Sequence, residues 1–374
     1  MKKLLLLIML LPLLIQAQKT NRTVTHNGIT REYIEYVPES YDGSTAVPLL
    51  FVLHGLGDTD DNMSNVGFEQ IANSENFIVI TPQAIASPLG TAWNSGAGVI
   101  GITLNPTVDD VGFIGFLIDS VSNHYNINLN KVYSTGFSMG GFMSNRLACE
   151  LNDRIAAIAS VAGTIGSAVT CEPGKAVPFL HFHGTSDGTV GYTNNTFGTD
   201  AVETVEFWAD NNGCDATPTT TAVPDSKADG ITIEKIAYNN CGKDTEFYKA
   251  TGAGHSWLNS TNNDLSYTLT IWEFLSRQSL ETSTGVFNNQ SAFEFNVYPN
   301  PLSERSMVEI FVEKATAITI TIYDITGKLL NTEIYNAING QNTFPIEFNN
   351  LSLGMYVLTI DMEGAKSSQV IVVQ

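Results

Sequence analysis

A strand pattern, Val132-Tyr133-Ser134-Thr135, runs into Gly136-Phe137-Ser138-Met139-Gly140-Gly141, and a helical pattern follows at once. A serine with a glycine two residues to either side, set between a strand and a helix, makes a sharp turn. That turn thrusts the hydroxyl out of the end of a sheet. Glycine is needed at Gly136 and Gly140 because a Cβ there would collide with the neighbouring strand and helix. The first free helical N–H groups, beginning at Met139, face the place where an oxyanion would form. The five-residue pattern alone is weak, so its meaning rests on a strand before it, a helix after it and partners downstream.

The flanking chain supplies that frame. Residues 23–37 alternate around Asn27-Gly28, a hairpin signal. Continuous apolar runs at 48–53, 77–81, 131–135, 155–161 and 178–183 suit strands buried on both faces. Two further strands are read at 231–238 and 246–249. Between them, Phe68 with Ile71, then Val111 with Ile114, Leu117 and Val121, then Val202 with Val205 and Trp208 mark amphipathic helices. Leu265, Leu269, Trp272 and Leu275 mark another. This alternation predicts a mainly parallel sheet with helices on both faces. Ligands in such folds sit beyond the carboxyl ends of the strands. Ser138, the His54-Gly55 loop, Asp187 and His255 all fall there.

A serine hydroxyl needs a base, and the base needs a carboxylate to hold its tautomer. In this topology the order along the chain is Ser, then Asp or Glu, then His. Of the 6 histidines, only His181, His183 and His255 follow Ser138. His181 and His183 sit in a strand end and read as structural. His255 lies in Gly252-Ala253-Gly254-His255-Ser256-Trp257, a glycine-rich loop between a strand and a helix, which suits a base. Asp187 follows the 178–183 strand; a plain turn aspartate is the competing reading, and Asp244 is the runner-up carboxylate. The second oxyanion donor is read as the Leu56 N–H, with Gly57 close behind, and the first as the Met139 N–H. Trp93, in the long interval 82–108, and Trp257 are expected to line the substrate pocket, although aromatics are more often packing residues. Asp58, Asp60, Asn62, Ser64 and Glu69 have the spacing of a calcium loop. Met63 replaces its turn glycine, so no metal and no cofactor are expected.

The chain has 374 residues, which predicts more than one domain. We read a secretory leader at 1–17, a catalytic module at 18–277, a polar linker at 278–291 and an appendage at 292–374. Lys2 and Lys3 precede an apolar stretch too short to span a bilayer, and Gln16-Ala17-Gln18 follows as a cleavage site. The net charge of −20 argues against nucleic acid and anionic membrane as partners. The 4 cysteines suit an exported protein and allow three pairings. Cys149 with Cys171 and Cys214 with Cys241 is the favoured set, against free buried thiols. The appendage reads as seven short strands in a small β-sandwich. It contains no His or Cys, so no chemistry is expected there. A carbohydrate-binding module is disfavoured because the appendage has no Trp.

Residues 30–277 resemble the secreted polyhydroxybutyrate depolymerase-like esterases, a family that includes feruloyl and acetyl xylan esterases. The motifs carrying the resemblance are His54-Gly55-Leu56-Gly57-Asp58, Trp93-Asn94, Val108-Asp109-Asp110-Val111-Gly112-Phe113 and the turn at Ser138. Arg146-Leu147-Ala148-Cys149-Glu150, His183-Gly184-Thr185-Ser186-Asp187 and Gly254-His255-Ser256-Trp257 complete them. The resemblance implies an α/β-hydrolase fold, a triad of Ser138, Asp187 and His255, and a bridge between Cys214 and Cys241. Leu258 stands where the family usually has proline. The appendage resembles the C-terminal sorting domain of type IX secretion cargo, through Tyr298-Pro299-Asn300-Pro301, Asp324-Ile325-Thr326-Gly327-Lys328, Leu353-Gly354-Met355-Tyr356 and the last strand. That implies export by outer-membrane secretion machinery to the medium or the cell surface. The expected activity is serine ester hydrolysis on polymer-linked esters, feruloyl or acetyl groups of plant polysaccharide. Polyhydroxyalkanoate depolymerisation comes second, and a non-catalytic surface adhesin with a hydrolase fold is the reading from another class.

Overall fold

The computed structural model describes residues 17–280, 293, 295–302, 306–324, 329–346, 351–362 and 365–373. The leader expected at 1–17, Ala17 excepted, and the linker from residue 281 lie outside the described residues. The chain divides into two units, Met1–Leu280 and Glu281–Gln374.

In the first unit, β1 (Gln18–His26), β2 (Ile29–Val37) and β3 (Val47–Leu53) precede α1 (Asp60–Ser64), α2 (Phe68–Glu75) and β4 (Ile78–Pro82). Two small hairpins follow, β5 (Ile85–Ser87) with β6 (Gly90–Ala92), and β7 (Gly98–Val99) with β8 (Ile102–Thr103). Then come α3 (Asp110–Ser122), β9 (Ile127–Phe137), α4 (Met139–Glu150), β10 (Ala157–Val161) and β11 (Phe179–Gly184). The unit ends with α5 (Ala201–Asn211), β12 (Thr219–Ala222), β13 (Thr232–Ala237), β14 (Thr245–Thr251) and α6 (Tyr267–Ser276).

The strands form one 10-stranded sheet in the order β1-β2-β4-β3-β9-β10-β11-β14-β13-β12. Pairing is parallel from β4 through β14 and antiparallel in the strands at each edge. The expected Asn27-Gly28 turn joins β1 to β2, with φ of 50° and 78°, the positive pair that a two-residue hairpin turn needs.

The reason the central strands read as unbroken apolar runs is visible in β3. Leu49, Phe51 and Leu53 pack in one cluster with Phe113 and Leu117 of α3, Leu147 of α4 and Trp208 of α5. Leu50 and Val52 point the other way, against Phe68 of α2 and Ile271 and Leu275 of α6. Both faces are therefore dry, as a parallel sheet requires. β12 escaped the pattern reading because Thr219–Ala222 is a threonine-rich edge strand, exposed throughout.

Register aligns the functional strand ends. Leu53 pairs with Gly136, Phe137 with Val161, Val161 with Phe182, and Gly184 with Ala250. The loops carrying Leu56, Ser138, Asp187 and His255 thus leave the sheet at the carboxyl ends of its parallel strands.

The second unit holds a three-stranded sheet of β15 (Phe295–Tyr298), β16 (Met307–Val312) and β19 (Gly340–Pro345). Its four-stranded companion has the order β18-β17-β20-β21, from β17 (Thr316–Asp324), β18 (Leu329–Ala337), β20 (Gly354–Met362) and β21 (Ala365–Val373). Val308 and Ile310 of the first sheet share a core with Ile318, Ile320, Leu358 and Ile371 of the second. The alternation of Ile318, Ile320 and Ile322 with threonines is the half-buried pattern made physical.

Candidate active site

β9 ends at Phe137 and α4 begins at Met139, with Ser138 between them at φ 54° and ψ −121°. A non-glycine residue in that region is strained, and the strain persists only where the surroundings over-determine it. Here the Ser138 N–H donates to the Val161 carbonyl at 2.8 Å. A Cβ on Gly136 would overlap the Gly140 backbone, and one on Gly140 would overlap the Leu53 carbonyl. The Gly163 Cα side packs on the Ser138 carbonyl just as closely. β3, β9, β10 and α4 therefore converge on Ser138 with no room for side chains at these glycines.

Asp187 turns off the end of β11. Its Oδ1 accepts the N–H groups of Thr189 and Val190 at 2.8 and 2.9 Å. Its Oδ2 accepts from His255 Nδ1 at 2.7 Å, and its side chain is fully buried. Burial pushes the carboxyl pKa up, but the His255 contact and the two backbone donors outweigh it and hold it below its ordinary value. His255 comes from the loop after β14 and stacks obliquely on Phe137, ring centres 4.6 Å apart. The runner-up, Asp244, lies at the other end of the sheet, just before β14, bound by Arg277 and Gln278.

Ser138 and His255 line one cavity of about 430 Å³. Leu56, Gly57 and Met139 also line it, as do Val99, Phe142, Val190 and Phe197. The Gly57 N–H is committed to the Thr91 carbonyl at 2.8 Å. Leu56 itself is held by a clamp beneath it. The buried His54 donates Nδ1–H to the Gly55 carbonyl at 2.7 Å, and its Nε2 accepts from Ala84 N–H at 3.0 Å. Burial lowers the pKa of His54, in keeping with a neutral ring in this role.

His181 and His183 are buried in β11, as a structural reading expects. Burial pushes both down. His183 is therefore neutral, and its 3.7 Å approach to Asp187 Oδ2 is not an ion pair. Its Nε2–H donates instead to the Val190 carbonyl at 2.9 Å.

Trp93 and Trp257 are not brought to the cavity. Trp93 is buried, and its Nε1–H donates to the His54 carbonyl at 2.9 Å beneath the loop. The Trp257 Nε1–H donates to Thr268 Oγ1 at 2.9 Å, on the α6 side of the sheet. In each case the indole N–H takes a backbone or hydroxyl partner in the packing, which a tryptophan N–H taken out of water needs. The apolar wall residues Val99, Phe142, Val190 and Phe197 carry no signal of their own in the sequence. Phe142, one turn beyond Ser138, was within reach of such reasoning; Val99 and Phe197 come from distant segments and were not. Both disulfides of the favoured set are present, Cys149–Cys171 and Cys214–Cys241. The acidic 58–69 segment is a helix start, with Thr59 Oγ1 accepting the Asn62 N–H.

Residues 296–374 match the family of the secretion system C-terminal sorting domain. The chain is 29% identical over 242 residues to feruloyl esterase B of Piromyces equi, covering 60% of this chain and 42% of that protein. It is 28% identical over 268 residues to a bifunctional acetylxylan esterase/xylanase of Neocallimastix patriciarum, covering 70% of this chain and 35% of that one. It thus spans less than half the length of these two relatives. Feruloyl esterase D of Neurospora crassa matches at 29% over 278 residues, 69% of this chain and 87% of the relative. Among solved structures, the acetyl xylan esterase from Aspergillus awamori shares the fold at TM-score 0.50 and 17% identity, over 69% of this chain and 99% of that one.

Proposed function

We propose, from the premise that the chain is a feruloyl/acetyl-xylan esterase-like α/β-hydrolase with a C-terminal secretion-system sorting domain, that it is an exported serine ester hydrolase. The observation that carries the reading is the 2.7 Å contact of His255 Nδ1 with the buried Asp187, at a cavity shared with a strained Ser138.

In this reading Asp187 fixes the tautomer of His255 so that Nε2 is the proton acceptor. Nε2 takes the Ser138 proton as Oγ attacks the ester carbonyl. The N–H groups of Leu56 and Met139 hold the oxyanion, the Gly57 N–H being already engaged. His255 returns the proton to the departing alcohol. Water, deprotonated by the same ring, then releases the acid and restores Ser138.

The acyl group is proposed to be larger than acetyl. A cavity of about 430 Å³ lined by Leu56, Val99, Phe142, Val190 and Phe197 is far more than a methyl group fills and lies in the range of drug-sized ligand sites. Feruloyl esters of plant polysaccharide fit that volume and agree with the names of the relatives. The proposed partners are such an ester polymer and, for the second unit, the secretion machinery of the outer membrane.

The test is Ser138→Ala beside wild type on a chromogenic ester and on feruloylated and acetylated xylan. Loss of all ester cleavage with an unchanged unfolding midpoint supports the reading. Turnover retained by Ser138→Ala would overturn this mechanism, and failure of wild type to react with a serine-reactive fluorophosphonate would leave a binding protein with a hydrolase fold.

A further inference from the structure

The interval between β4 and α3 places two hairpins against residues of the cavity wall. The β5–β6 hairpin holds the Gly57 N–H through Thr91 and exposes Leu89 at its tip, 42% accessible. The β7–β8 hairpin supplies Val99 to the cavity wall. It is tied to another wall residue by Gly98 N–H donating to the Phe197 carbonyl at 2.9 Å. Beyond Val99 its side chains leave the protein altogether: Ile100 is 80% and Ile102 58% accessible.

The tip is also built against local preference. Ile100 and Gly101 have φ of 52° and 76°. The β1–β2 hairpin makes the same turn with Asn27 and Gly28, at φ of 50° and 78°. Asn tolerates that conformation, whereas a β-branched residue does not. No packing compensates the isoleucine, since its side chain stands in water. A strained and solvent-exposed aliphatic side chain one residue from a cavity wall gains the free protein no packing that would offset its turn.

We infer that Ile100 and Ile102 are specificity-determining residues, gripping the apolar part of an ester that projects from the cavity past Val99. This rests on the ester-hydrolase reading alone, not on a polysaccharide alcohol, and deepens it: the favoured substrate carries an extended apolar group, not merely one that fills the cavity. The group belongs either to the acyl chain or to the alcohol, and both present the same hydrocarbon chemistry to the tip.

The experiment compares full-length wild type with Ile100→Asn and with Ile100→Asn/Ile102→Ser. One arm lengthens the acyl chain, p-nitrophenyl acetate against p-nitrophenyl octanoate. The other lengthens the alcohol, ethyl acetate against octyl acetate. In one arm the wild type should prefer the long ester, and the double variant should lose about tenfold in kcat/KM on it, through KM, while the short ester changes less than about twofold. The unfolding midpoint of Ile100→Asn should be equal to or above that of wild type, because the turn is relieved. Unchanged discrimination in both arms overturns the inference while acetate turnover leaves the esterase reading standing. An equal loss on short and long esters overturns it too, as does a change in oligomeric state with unchanged kinetics. No turnover of any ester by wild type instead removes the reading beneath it.

Discussion

His183 and Asp187 are joined through Val190. The His183 Nε2–H donates to the Val190 carbonyl at 2.9 Å, and the Val190 N–H donates to Asp187 Oδ1 at 2.9 Å. A histidine inside the sheet thereby sets the loop from which the carboxylate reaches His255. His183→Leu roughly keeps the volume of this buried side chain and removes the donor. It should lower kcat by about 10- to 100-fold with little change in KM, since misplacing a catalytic group by a fraction of an ångström carries costs of that order. Steady-state kinetics check it; an unchanged kcat would reduce His183 to a packing residue.

Asp187→Asn leaves the two backbone donors a side-chain oxygen but turns an amide N–H toward His255. The ring then loses the acceptor that selects its tautomer. On the proposed triad, kcat should fall by about 10⁴ at neutral pH, the loss that this change brings at a Ser-His-Asp site. Circular dichroism and the unfolding midpoint should show the fold retained.

Gly140 admits no Cβ because the Leu53 carbonyl occupies that place. Gly140→Ala should therefore cost about 3 kcal/mol or more and displace Ser138, as overpacking in a rigid site does. Urea unfolding measures the first effect and fluorophosphonate labelling the second. A variant labelled at the wild-type rate would contradict the account of the turn.

Acid sensitivity follows from the buried imidazoles. Burial lowers the pKa of His54, His181 and His183 from the ordinary 6.5. Below that pH the unfolded chain takes up protons that the folded chain does not. Stability therefore falls as pH drops below about 6.5, by up to about 1.4 kcal/mol per histidine for each pH unit. Asp187 acts lower on the scale. Its carboxyl is held below 3.8 in the folded state, so its contribution survives until pH falls beneath about 4. Urea midpoints between pH 8 and pH 5 test this, and a flat profile would refute it.

The sheet and the Ser138 turn were legible because their signals are local. Strands buried on both faces must be continuously apolar, and a serine turn packed against two backbones must carry glycine. Asp187 and His255 were legible through chain order and strand ends. The cavity wall was not. The segments of Val99 and Phe197 are joined by the Gly98 N–H donating to the Phe197 carbonyl across about a hundred residues of sequence, and periodicity holds no trace of that. Trp93 and Trp257 misled for a related reason. Their positions beside functional loops were visible, but the direction of an indole depends on which partner its N–H finds.

The two hairpins of 82–108 are anchored on buried chemistry that does not touch Ser138. Arg31 pairs with Asp110 at 2.7 Å with both side chains buried, and the other Asp110 oxygen accepts the Asn94 N–H at 2.7 Å. Arg31 also lies over the Phe113 ring, 3.8 Å from its centre. The segment is thus clasped at Asn94, between its two hairpins, by a lock belonging to the scaffold; the β7–β8 tip stands free, whereas Gly90 in the β5–β6 turn packs on Gly57. The β7–β8 tip is a separable part: Ile100 and its exposed neighbour Ile102 can be exchanged without touching the Arg31–Asp110 lock or the sheet.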